Sequence, residues 1–115
     1  MIKRKNEMKY KERENMRDGD GVVKITDVFS NDEYNGKARL VGVLTLEPGC
    51  SIGEHLHENE EEIFYILEGT ATYNDNGRTE ILNVGDASIC KGGENHSIAN
   101  KSDKSLKVFA VILTY

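Results

Sequence analysis

The chain has no tryptophan, a single proline and only three histidines, and none of its apolar stretches is long. A transmembrane helix needs roughly 20 consecutive apolar residues, so none is expected here. Met1 leads into Ile-Lys-Arg-Lys-Asn-Glu rather than an apolar leader, and the expected location is cytoplasmic, away from membranes. Cysteine is scarce as well: in a reducing compartment Cys50 and Cys90 are read as two thiols rather than a disulfide. A basic excess is also missing. The formal charge of −5 argues against nucleic acid, whose binders carry a basic face. A length of 115 residues suits one buried core and one domain.

The charge that is present is unevenly spread. Residues 1–18 hold seven Lys or Arg against four Asp or Glu, whereas the remainder carries a net −8. Residues 1–20 are therefore read as an amino-terminal arm, solvated or docked on a partner, and residues 21–115 as the folded domain. Glu7, Glu12 and Glu14 interrupt the arm's basic residues and its apolar face is thin, which removes a membrane-surface role.

After the arm, short apolar and β-branched runs alternate with turn signals. The runs are Val22–Phe29, Ala38–Leu46, Ser51–His57, Glu62–Leu67, Thr70–Tyr73, Arg78–Leu82, Asp86–Cys90, His96–Asn100 and Leu106–Tyr115. Glu47-Pro48-Gly49 marks a turn, and Asn-Asp-Asn-Gly at 74–77 marks a hairpin. Apolar residues on both faces of the last run predict burial on both sides. Lys3–Met16 is the single stretch that offers a weak helical pattern. Many short strands at regular spacing predict an all-β sandwich or barrel.

Because histidine is so rare, its placement carries information. In a strand, residues i and i+2 share a face, so His55 and His57 aim two imidazoles at one point. Imidazole is a common ligand for first-row transition metals. The surrounding spacing goes further. Gly49, five residues, His55, Leu56, His57, four residues, Glu62, six residues and Gly69 satisfy the pattern G-x5-H-x-H-x(3 or 4)-E-x6-G. Gly85, Gly93, His96 and Asn100 then fall in register with G-x5-P-x-G-x2-H-x3-N, with Lys91 where that pattern has proline.

By these two motifs, which span residues 49–100, the chain resembles the small single-domain cupins. The resemblance implies a jelly-roll β-barrel in which His55, His57, Glu62 and His96 bind one divalent transition metal. Mn, Fe, Ni, Cu and Zn all suit three imidazoles and one carboxylate. Glu61 would also fit the first motif's shorter loop but then misses the six-residue spacing to Gly69, which favours Glu62. Glu54, Glu58, Glu60 and Glu61 are read as a solvated acidic rim, and Asn100 as a loop-holding residue rather than a ligand. Gly92-Gly93 supply turn freedom where Lys91 replaces proline.

Strand parity extends these expectations. If Glu62 points inward, so do Phe64 and Ile66, and Ile98 joins His96, giving a largely apolar pocket beside the metal. Ile63, Tyr65 and Leu67 then point outward and, with the terminal strand, predict a homodimer. All three histidines are used at the metal. Proton transfer would fall to metal-bound water, a carboxylate, Tyr73, Lys91 or Cys90, among which the sequence does not choose. The expected function is that of a metal-dependent enzyme acting on a small oxygen-rich metabolite, a carboxylate or enolate former. The resemblance implies a reaction that is dioxygenase-like or isomerase- or decarboxylase-like. The alternative is a non-catalytic module that binds or senses such a metabolite, and a structural metal in a storage or scaffold protein is a third reading.

Overall fold

Burial along the strands follows the two-residue alternation of the sequence. In the computed structural model, which describes residues 1–115, ten strands form: β1 (Lys9–Glu14), β2 (Val22–Asp27), β3 (Ala38–Leu46), β4 (Ser51–Leu56), β5 (Glu60–Glu68), β6 (Ala71–Asp75), β7 (Arg78–Leu82), β8 (Ala87–Cys90), β9 (Asn95–Ala99) and β10 (Leu106–Thr114). They make two antiparallel sheets, in the orders β1-β2-β3-β10-β5-β8 and β4-β9-β6-β7. The fold is all-β, a jelly-roll sandwich of facing sheets whose ladders do not close into a continuous barrel.

Every other residue of the long strands enters the space between the sheets. Leu106, Val108 and Ala110 from β10, Leu44 and Leu46 from β3, and Phe64 and Ile66 from β5 meet Ile52, Tyr73 and Ile98 from the smaller sheet. The parity expectations for Phe64, Ile66 and Ile98 hold, and Tyr65 and Leu67 are exposed. At the tip of β6–β7, Asn76 and Gly77 both have positive φ, which is the two-residue turn that an Asn-Gly pair favours. Asn100 holds its loop as expected, donating to the carbonyls of Leu46 and Lys104.

The terminal strand departs from expectation. β10 buries one face only: Phe109 and Val111 remain half-buried and Leu113 is exposed. These residues belong to the outer face of the larger sheet. Strand register lines up Tyr10, Thr26, Val43, Phe109, Tyr65 and Ala87 as one row across all six strands. A second row runs through Val41, Val111, Ile63 and Ile89.

Residues 3–16 are not α-helical. They form a short 3-10 turn followed by β1, because Lys-Tyr-Lys-Glu-Arg-Glu at 9–14 alternates with a period of two and its backbone pairs along β2. The segment is fixed at both ends. Lys3 Nζ lies 2.6 Å from a Glu33 carboxylate oxygen in a half-buried ion pair. At the other end, residues 15–20 pack backbone to backbone on β4. The Ser51 amide donates to the Asp20 carbonyl at 2.8 Å, and the Asp20 amide to Ser51 Oγ at 2.8 Å. The approach is close enough that a Cβ on Gly53 would collide with the Arg17 carbonyl oxygen, and one on Gly19 with the Ser51 carbonyl oxygen.

Candidate metal centre

Two cross-strand placements assemble the centre. His55 on β4 pairs directly with His96 on β9, and His57 follows at the end of β4. Glu62 enters from β5 in the opposite sheet. The Nε2 atoms of His55 and His57 are 3.1 Å apart, those of His57 and His96 3.0 Å, and those of His96 and His55 3.1 Å. Glu62 Oε1 lies 3.1 Å from the Nε2 of both His57 and His96, and 3.9 Å from that of His55. All four side chains named by the sequence reading thus converge on one point. His57, Glu62 and His96 are buried and His55 is half-buried.

The far side of each ring assigns its tautomer. His55 Nδ1 is 2.8 Å from the Gly53 carbonyl, and His57 Nδ1 is 2.9 Å from a Glu60 carboxylate oxygen. Both partners accept, so both Nδ1 atoms carry the proton and each Nε2 presents a lone pair. His96 Nδ1 is 2.7 Å from the Tyr73 hydroxyl, which can accept in the same way. With the rings neutral, three lone pairs and a carboxylate oxygen face one another, a repulsive arrangement that a cation, whether a shared proton or a metal ion, relieves. Ligands bound at right angles about 2.1 Å from one ion are about 3.0 Å apart, which matches the Nε2 separations. The donor set fits a divalent transition ion.

Electrostatics around the centre agree with this. Burial raises the Glu62 carboxyl, but hydrogen bonds with the three histidines outweigh it and hold the group well below the carboxylate range. Glu62 raises His57, with burial opposing and Glu60 assisting, whereas burial lowers His96 against the pull of Glu62. Glu60 was expected on a solvated rim. Instead Arg39 clamps it with two bonds of 2.5 and 2.7 Å and, against partial burial, holds its carboxyl at about 2, with His57 adding. Arg39, Glu60 and His57 form a chain that the sequence reading missed; the one available signal was that Glu60 lies three residues beyond His57.

A cavity of about 560 Å³ opens beside His55, His57 and Glu62. Its lining differs from the expected apolar set. Phe64, Ile66 and Ile98 lie behind the centre in the core, where the Phe64 ring stacks on His96 with centroids 5.2 Å apart. The apolar wall comes from Met16, Ile25, Leu40, Leu44, Ile52 and Ile112 instead. The mouth is polar, built by Lys11, Arg13, Glu14, Asn15 and Arg17 of the amino-terminal segment.

Three of the residues considered for proton transfer are placed away from such work. Tyr73 is buried against His96, and burial pushes its phenol far above the usual range. The Cys90 thiol is buried, pushed up to about 12 by that burial with Glu94 adding, and donates to the Glu94 carbonyl. Lys91 is not part of the cavity lining.

Comparison with known proteins agrees with the geometry. The family model of the cupin domain matches residues 42–112. An oxalate-binding protein of Thermotoga maritima is 39% identical over 113 residues, covering 98% of this chain and 93% of its own length. A crystal structure of a predicted oxalate decarboxylase from Thermotoga maritima superposes with a TM-score of 0.94 at 38% identity, covering 100% of both chains. A tetracenomycin polyketide synthase protein, TcmJ of Streptomyces glaucescens, is 29% identical over 60% of this chain and 46% of its own.

Proposed function

The chain belongs to the cupin family, and from that premise we propose that it binds one divalent transition metal and, through it, a small oxygen-rich anion such as oxalate. His55, His57, Glu62 and His96 would hold the ion, which when bound supplies a Lewis-acid centre for anionic oxygens. The observation that carries this reading is the convergence of three Nε2 lone pairs and one carboxylate oxygen at the floor of an open cavity. The near-full-length similarity to an oxalate-binding protein supports the choice of anion. Gly53 and Glu60 keep His55 and His57 in the binding tautomer, and the Tyr73 hydroxyl, able to accept or donate, leaves His96 free to adopt it, so the chain's contribution is a largely preorganised set of donors.

Calorimetry tests this directly. Metal-loaded protein is expected to bind oxalate at one site per chain, and protein stripped with a chelator to lose at least a hundredfold in affinity. Equal oxalate affinity with and without metal would overturn the reading.

A second reading, turnover of the bound acid, is favoured by one observation. Glu14 is among the residues lining the same cavity and makes no ion pair, so a carboxylate not committed to a cation stands beside the centre. Decarboxylation would then be the chemistry: the carbon–carbon bond of oxalate breaks, carbon dioxide leaves and one proton is taken up at the remaining carbon, with formate as the readout.

We also propose that two copies associate through the outer face of the larger sheet, where the row through Val43, Phe109 and Tyr65 supplies a continuous apolar stripe. Sedimentation at micromolar concentration is expected to give a dimer, and Tyr65→Glu a monomer. A wild-type monomer would refute the interface.

A further inference from the structure

The mouth of the cavity carries charge that the metal centre does not use. β1 pairs with β2 so that Lys11 lies opposite Ile25 and Arg13 opposite Val23, both buried residues of the inner sheet face. Lys11 and Arg13 therefore share the inward face of an edge strand, and both line the cavity. Arg17 joins them from the turn after β1, where its φ of 53 lies in the left-handed region that a residue with a side chain adopts only at a cost. Close backbone packing of that turn on β4 holds it there. None of these three cations has a carboxylate partner, whereas Arg39, the other cation in the lining, is committed to Glu60. Glu14 is the one carboxylate at the mouth, which leaves the rim with a net +2 in a chain whose net charge is −5.

An ion as small as oxalate, held by metal at the floor, fills only part of a cavity of about 560 Å³ and leaves this rim unused. Resting on the metal-centre reading above, we propose that the natural ligand is a longer dicarboxylate. One end offers an oxygen pair to the metal, and its far carboxylate is received by Lys11, Arg13 and Arg17. The amino-terminal segment is then the part of the chain that sets ligand length. Inward charge on an edge strand also deters edge-to-edge pairing, and that is the competing explanation of Lys11 and Arg13. It does not account for Arg17, which lies outside the strand and lines the cavity without a carboxylate partner.

The experiment compares pairs that differ only at the far end. These are 2-oxoglutarate with 2-oxopentanoate, and 2-oxoadipate with 2-oxohexanoate, titrated calorimetrically into metal-loaded protein with oxalate as a reference. At least one dicarboxylate is expected to bind about tenfold to a hundredfold more tightly than its partner, the range for charge-assisted hydrogen bonds. That preference should shrink as salt is raised. In Arg13→Gln and Arg17→Gln it should fall severalfold, and disappear once Lys11→Gln is added to both. Arg17→Gly should also raise the melting temperature by relieving the backbone, which separates lost recognition from lost folding. Oxalate binding with no preference in either pair would overturn the dicarboxylate proposal and leave the metal-centre reading intact. Preference that persists with Lys11, Arg13 and Arg17 all replaced by Gln would assign the charges to edge protection. Failure of every ligand, oxalate included, to bind metal-loaded protein would overturn both.

Discussion

His57→Ala is expected to leave a folded chain with almost no metal, where the wild type carries close to one first-row transition ion per chain. His57 Nε2 lies within 3.1 Å of each of the other three donor atoms, so its removal takes away a ligand adjacent to all the rest. Loss of a mere hydrogen-bond partner to a metal ligand costs about 10–100-fold in affinity. Loss of the ligand should exceed that, and elemental analysis of untagged protein would read a small fraction of the wild-type content. Folding should survive, because the deletion also removes one of the lone pairs that crowd the metal-free centre, and Glu60 keeps its two bonds from Arg39. Circular dichroism checks that condition. Full metal occupancy in the variant would remove His57 from the ligand set.

The second large effect lies outside the centre. Gly53→Ala should destabilise the protein by about 1–3 kcal/mol, the usual cost of forcing extra atoms into a packed site. The added methyl would meet the Arg17 carbonyl, which is backbone and has no rotamer through which to escape. Residues 15–19 would have to lift from β4, taking the cavity mouth with them, and the Gly53 carbonyl that orients His55 would shift. Gly36→Ala is the matched control. Nothing lies near its position and its backbone is not left-handed, so it should be neutral or slightly stabilising. Urea unfolding distinguishes the two, and equal stability of both variants would mean that the amino-terminal segment is not held by this contact.

Much of this molecule was legible in the sequence, and the reason is local. Short β-branched runs with Asn-Gly and Pro-Gly turns specify strands, and parity pairs His55 with His57, whereas Glu62 and His96 were legible as ligands only through the resemblance to the two cupin motifs. Parity carried the inward positions of Phe64, Ile66 and Ile98, since alternation in a strand is nearly rigid. It did not reveal which inward residues line a cavity and which lie behind it, because that depends on where the sheets separate. The same limit hid the role of residues 9–17. Lys-Tyr-Lys-Glu-Arg-Glu has the period of a strand but the composition of a solvated segment, and only pairing with β2 gives it a face. Glu60 was misread for a related reason: its partner Arg39 lies 21 residues away, and no local pattern announces a long-range ion pair.

The two sheets contribute unequally to the centre. His55, His57 and His96 come from the smaller sheet and the region just after β4, whereas Glu62 comes from the larger one. An ion bound by all four would therefore act as a rivet through both layers, fastening them at the end where the cavity keeps them apart. Occupancy and cohesion would then be one quantity: an ion present at a hundred times its dissociation constant would add about 2.7 kcal/mol to the folded state. In a cell, the supply of a trace metal would then govern how long each copy of the protein lasts, as well as what it can bind.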